Sequence, residues 1–277
     1  MRYEGTEELF YKNGQLRELK NYKAGKLNGE CKVFHKNGAL AELYLYADDH
    51  KEGISCNYYE SGILKTELIY HNDAIDGVVK YFYEDGEPKA EVTYKAGKKD
   101  GNVRIFYQSG ELKENFSNQN DKIEGQLSTY YKSGTIKGEW NYNNGVPDGL
   151  SKFYYASGEL LAEKEYSKGK DHGITKILHK NGNIKEVISF DQGIKNGINK
   201  HYDKNGNIIK EYLYQNGKRT SSTDYTKKKD EVPKTLDYAA RPILKSKAQK
   251  VFIAASKIII LFISTYFIYL LLVWLLG

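Results

Sequence analysis

Cysteine, proline and methionine are almost missing from this 277-residue chain, with two, four and one copies respectively. Cys31 and Cys56 cannot build a disulfide framework, and no CxxC or Cys/His spacing offers a zinc module. The acidic, aromatic start MRYEGTEELFYKNG has no apolar run, so no secretory signal is expected and the main domain belongs in a reducing cytoplasm. Catalytic signatures are missing as well. There is no GxSxG elbow, and GKLNG and GKKDG lack the rest of a phosphate loop and a following helix. His35 and His179 share a position in the pattern described below but lie six units apart, too far to hold one ion; the other histidines share none. Neighbouring acids such as Glu84 and Asp85 read as solvated turn residues. The chain is therefore expected to be no enzyme, with no catalytic residue, no cofactor and no metal ligand.

A basic surface is also lacking where the chain is long enough to fold. The formal charge is +6, but residues 1–217 hold 31 basic and 32 acidic side chains, a net of −1. Residues 218–250 hold ten basic against four acidic, and Lys257 adds the last positive charge. Stacking of nucleic-acid bases on aromatics also needs a positive groove, so this balance argues against nucleic acid as a partner.

What is abundant is tyrosine and glycine, 25 and 26 copies, and they are periodic. Gly14, Gly38, Gly62, Gly86, Gly110, Gly134, Gly158, Gly182 and Gly206 stand 24 residues apart throughout, as does a second series from Gly5 to Gly197. A third column, from Gly25 to Gly217, contains only glycine or aspartate, residues that tolerate a left-handed turn. Between turns the apolar residues alternate, as in Leu68 and Tyr70 or Ile188 and Phe190, the period of a strand with one covered face. Each unit is expected to be a β-hairpin, and about nine of them an all-β, elongated, single-layer antiparallel meander on the order of 90 Å long at ~10 Å per hairpin. Glu67, Glu91, Glu139 and Glu163 should face Lys80, Arg104, Lys152 and Lys176 across the strands, which explains a highly charged domain with little net charge.

Each unit ends in an aromatic doublet. The first member (Phe34, Tyr58, Phe82, Phe106, Tyr130, Tyr154) is expected to pack within the sheet. The second (Tyr59, Tyr83, Tyr107, Tyr131, Tyr155) should point the other way and is the candidate partner-binding column.

The segments GILKTELIYHNDAIDG, GELKENFSNQNDKIEG and GELLAEKEYSKGKDHG carry a G-x-L-K-x-E-x-x-Y, turn, G pattern. It resembles the MORN-repeat variants of bacteria, of the YwqK-like antitoxin type, over about residues 3–217. The resemblance implies a β-hairpin array used as an interaction surface, with antitoxin or immunity-like binding of a toxin or effector protein. Asn118, Pro88, His35, His179 and Asp203 depart from the pattern.

After Gly217 a basic polar linker runs to Lys250, and residues 251–276 are apolar, with 19 uncharged residues from Ile258 to Leu276. That length suits a transmembrane helix that anchors the tail. Lys245, Lys247, Lys250 and Lys257 flank it on one side, so the positive-inside rule places the repeats in the cytoplasm and the chain, single-pass, in the inner membrane. Polar residues such as Ser264 and Tyr269 could join such helices into a homo-oligomer. Two rival functions follow: a membrane-disrupting effector of a bacterial defence system with the repeats as sensor, or a lipid-binding scaffold.

Overall fold

The computed structural model describes residues 3–226, and these form one antiparallel sheet of 24 strands. The expected meander is observed: each hairpin arm pairs with the arms before and after it in sequence, from β1 (Gly5–Phe10) and β2 (Leu16–Lys23) onward. Five of the strands are two-residue segments, such as β3 (Lys26–Leu27), that continue after a shift of register into a longer strand, here β4 (Gly29–Phe34), and both pair with the same neighbour, here β2. In β12 (Lys98–Phe106), β14 (Lys122–Tyr130) and β19 (Lys170–Leu178) the same course is unbroken. The sheet does not stop at Gly217, where the repeat pattern ends: β24 (Lys218–Asp224) pairs with β23 (Ile208–Gln215), so the edge strand is a polar one. No α-helix occurs among the described residues, and none there is long and apolar enough to cross a membrane. The segment read as a tail anchor lies outside the described residues, as do its flanking lysines Lys245, Lys247, Lys250 and Lys257.

Two turn types alternate. At Ala24–Gly25 both residues have positive φ, 53° and 80°, the type I′ geometry that matches strand twist, and the same pair of angles recurs at all nine such turns. The turn is also where consecutive units are stitched. Its second N–H donates to the carbonyl 22 residues earlier, as from Gly97 to Ile75 at 2.8 Å. Where aspartate replaces glycine it adds a bond: Asp49, Asp73 and Asp121 accept from the backbone N–H of Leu27, Lys51 and Lys99 at 2.7–2.8 Å. A second row of acids caps the first turn N–H of the next unit, Glu52 for Asn72 at 2.9 Å and Glu124 for Asn144 at 2.7 Å. The Asn72 N–H, and then His71, hold the Glu52 carboxyl below its ordinary range.

The opposite turns are tighter. Tyr59 N–H donates to Ile63 O at 2.8 Å and Gly62 N–H to Tyr59 O at 2.9 Å, and Gly62 sits at φ 84°, a β-turn closed by a glycine bulge. All nine expected turn glycines, Gly14 to Gly206, have positive φ. In the second series Gly101 has φ 120°, and a Cβ there would come within 3.0 Å of the Thr93 side chain, so glycine is needed on both counts.

The core of a single sheet must be a trough in one face. Here it is the column Cys31, Ser55, Val79, Val103, Leu127, Ser151, Thr175 and Asn199, each at most 8% exposed. Larger side chains stand opposite in register, Tyr44 across from Cys31, Trp140 from Leu127 and Tyr212 from Asn199. Burying a residue such as Val79 contributes roughly 1.5–3 kcal/mol. On the other face, the expected register of Glu67 with Lys80, Glu91 with Arg104, Glu139 with Lys152 and Glu163 with Lys176 is observed. Ion pairs join Lys80 to Glu67 at 2.7 Å, Arg104 to Glu91, and Lys176 to Glu163 at 3.5 Å. Glu139 is drawn elsewhere, accepting from Gln126 Nε2 and the Tyr154 hydroxyl.

Candidate functional site

The second aromatic of each doublet is the first residue of the tight turn, so its backbone N–H and C=O are used in closing that turn. Its side chain is left to run along the sheet edge into the next unit. There the hydroxyl of Tyr59 donates to the carbonyl of Phe82 at 2.8 Å, Tyr83 to Phe106 at 3.0 Å, Tyr107 to Tyr130 at 2.8 Å, Tyr131 to Tyr154 at 2.9 Å and Tyr155 to Leu178 at 2.8 Å. Tyr11 makes the same bond to Phe34, and His35 and His179 reach Tyr58 O and Tyr202 O through Nε2. These two histidines, departures in the sequence pattern, thus fill tyrosine's place in a ladder of bonds each spanning 23 residues. The ladder ends at Asp203, whose carboxylate turns onto its own loop and accepts from Asn207 Nδ2 and the Asn205 and Asn207 N–H groups. These bonds, that of the Asn207 side chain first, keep the Asp203 carboxyl below its usual range.

All five candidate partner-binding tyrosines therefore lie in one row, half-buried, with the hydroxyl committed to the fold. What they present outward is ring face, and lysines stand over it. Lys65 lies 5.5 Å from the Tyr59 ring centre, Lys89 5.6 Å from Tyr83, Lys113 6.0 Å from Tyr107 and Lys137 5.8 Å from Tyr131. Each such contact is worth about 0.5–1 kcal/mol on an exposed surface. These lysines fall three residues after the turn glycine, at the lysine of the G-x-L-K pattern. Lys65, Lys89 and Lys137 make no ion pair among the described residues, in contrast to the paired lysines of the sheet face.

In the sixth unit the row borders a groove. Gly138 occupies a position where other units carry Thr66, Ala90 or Glu114, and the Trp140 ring folds across it so closely that a Cβ would lie 2.6 Å from the indole. Trp140 meets Phe153 edge to face at 5.1 Å. These two rings, with Tyr107, Tyr131, Lys113 and Lys137, border an open groove of about 330 Å³. Thr129 also lines it, and its Oγ1 is buried without a hydrogen-bond partner. Beside the groove, burial and then the Glu139 carboxylate push the Tyr154 hydroxyl up to about 12. An aromatic groove rimmed by ammonium groups can take a bulky apolar group with negative charge beside it. The sequence did not single out Gly138, Trp140 or Phe153, because each occurs once in its column.

No cluster of three or more metal-ligating side chains occurs among the described residues. His50 and His71 instead pair with Asp73 at 2.7 Å and Glu52 at 2.9 Å, between adjacent units. A further surface feature is a row of exposed aliphatics, Ile54, Val78, Leu150, Ile174 and Ile198, interrupted by Asn102 and Gln126.

Nothing among curated proteins matches the chain. Among solved structures, a porin-like protein from Bacteroides uniformis aligns over 79% of this chain and 92% of its own at 9% identity, with a TM-score of 0.21. TcdB2-TccC3 aligns over 76% of this chain at 12% identity with a TM-score of 0.20, and there the chain spans 14% of the matched protein. Likenesses so slight carry no argument about function. The MORN repeat variant matches residues 3–24, 27–48, 51–72, 75–96, 123–144, 147–168 and 195–216. The two units between those matches, which contain Asn118 and His179, fold into the same hairpins. With more than half of its length matched and every unit built alike, the chain belongs to the MORN repeat variant family.

Proposed function

We propose that the chain is a non-enzymatic, membrane-tethered protein-interaction module that binds a toxin or effector protein at the cytoplasmic face of the inner membrane, in the manner of an antitoxin or immunity protein. MORN repeats are the mark of a repeat interaction module. The observation that carries the reading furthest is the edge itself: four successive units each present a lysine stacked on a tyrosine ring, and three of those lysines have no carboxylate partner among the described residues. Unpaired surface charge on a pre-ordered aromatic row favours association with an acidic protein surface, because steering and register come from the charges and contact area from the rings. Tethering rests on the apolar segment 251–276 and its basic flank.

The test is expression of the full chain beside the candidate toxin, together with the variant carrying Lys65→Glu, Lys89→Glu, Lys113→Glu and Lys137→Glu. Rescue of growth by the native chain and its loss in the variant is expected, with unchanged circular dichroism. Growth arrest caused by the chain alone and requiring residues 251–276 would sink the proposal in favour of a membrane-disrupting effector.

A further inference from the structure

We propose that the groove bordered by Trp140 and Phe153 is the anchor site of the interaction edge, and that it takes a bulky apolar side chain flanked by acidic residues on the partner. The inference rests on the reading of the tyrosine edge as the interaction surface and adds the place and chemistry of its strongest contact. Binding energy in protein interfaces concentrates where a large side chain fills a well-packed pocket, and charges at the rim steer and register the partner. This groove has both parts. Its volume of about 330 Å³ admits one aromatic or long aliphatic side chain, and its walls are the Trp140, Phe153, Tyr107 and Tyr131 rings. At its rim stand Lys113 and Lys137, held over Tyr107 and Tyr131. Lys137 has no carboxylate partner among the described residues, and the one carboxylate lining the groove, Glu114, is reached by Lys113 only at 3.9 Å, so two ammonium groups face one acid.

The floor gives an independent indication. Thr129 lines the groove with a hydroxyl that no group of the sheet satisfies. A buried hydroxyl without a partner is costly, and an incoming polypeptide carries carbonyl and amide groups able to pair with it. Gly138 makes the groove particular to this unit, since any side chain there would lift the Trp140 ring. A nucleic-acid base could also stack on these rings, but base stackers track a phosphate chain along a positive groove, whereas the repeat domain is near neutral. A protein segment is the better fit.

Trp140 reports directly on the site. The only other tryptophan is Trp274, so the full chain carrying Trp274→Phe has one indole, in the groove. Its fluorescence is followed against acetyl-Asp-Glu-Phe-Glu-Asp-amide, the charge-reversed acetyl-Lys-Lys-Phe-Lys-Lys-amide and a short single-stranded oligothymidylate. A saturable change is expected with the acidic peptide alone. Lys113→Glu with Lys137→Glu should weaken it about tenfold or more, as should raised salt, which screens exposed charges. Gly138→Ala, which displaces the indole, should remove it while circular dichroism stays native. A saturable response to the oligonucleotide or equally to the basic peptide would overturn the proposal, as would indifference to the lysine reversals. Absence of any saturable response, in a chain whose antitoxin activity still depends on the four edge lysines, would overturn the groove and leave the edge standing.

Discussion

Replacing Tyr59, Tyr83, Tyr107 and Tyr131 together by phenylalanine separates their structural role from any role in binding. Each substitution keeps the ring, and with it the lysine contact, and deletes only a hydroxyl that donates to the next unit at 2.8–3.0 Å. A part-buried neutral hydrogen bond contributes about 1 kcal/mol net, within a range of roughly 0.5–1.5. The four bonds join different pairs of units and share no partner, so their losses should add to about 4 kcal/mol. For an array of this size that corresponds to a fall in Tm of roughly 8–16 °C. The assay is thermal and urea unfolding of the full chain in mild detergent, followed by circular dichroism, with partner binding measured in parallel at a temperature where both proteins are folded. The reasoning predicts a large loss of stability and near-native binding. An unchanged unfolding midpoint with abolished binding would refute it and return the hydroxyls to the interface.

Other perturbations test other joints. Gly138→Ala should destabilise the chain by about 1–3 kcal/mol, the usual cost of overpacking, and shift Trp140 emission to the red as the indole leaves Phe153. Asp121→Gly should cost only the bond to Lys99 N–H, whereas Asp121→Ala should add the left-handed strain at φ 67°, about 1–2 kcal/mol more, and urea titration of the two variants should rank them in that order. The raised Tyr154 pKa means that the folded chain holds its proton where an unfolded tyrosine has lost it. Its contribution is complete below pH 10 and lost as pH rises through about 12, so alkaline unfolding should begin in that window, and an ultraviolet titration should show a late tyrosinate phase, shared with Tyr44 and Tyr81 that burial also raises, whose amplitude Tyr154→Phe lowers by one group.

Much of this fold was legible in the chain because each unit must repeat the same backbone solution. Positive φ at two turn positions leaves a glycine or aspartate column, and a fixed register leaves matched Glu67–Lys80 and Glu91–Arg104 pairs. The core column was harder to see. Position 31 and its successors hold cysteine, serine, valine, leucine, threonine and asparagine, since what the trough restricts is size more than polarity. The strand β24 escaped notice because KRTSSTD has no aromatic, no glycine and no apolar residue to alternate. The tyrosine ladder needs the offset between neighbouring hairpins, which no periodicity contains: the sequence marked Tyr59 to Tyr155 as a column but could not say that their hydroxyls face inward along the edge. The groove depends on Gly138, a single exception within its column, and a period finds columns better than exceptions.

The central claim is that the tyrosine edge, with its lysines, is the docking surface. Hydrogen exchange on the full chain, alone and mixed with the candidate toxin, tests this directly. The account predicts added protection in the tight-turn segments 59–65, 83–89, 107–113 and 131–137. Protection confined to the type I′ turns on the opposite edge, or to the aliphatic row of Ile54, Val78, Leu150, Ile174 and Ile198, would contradict it.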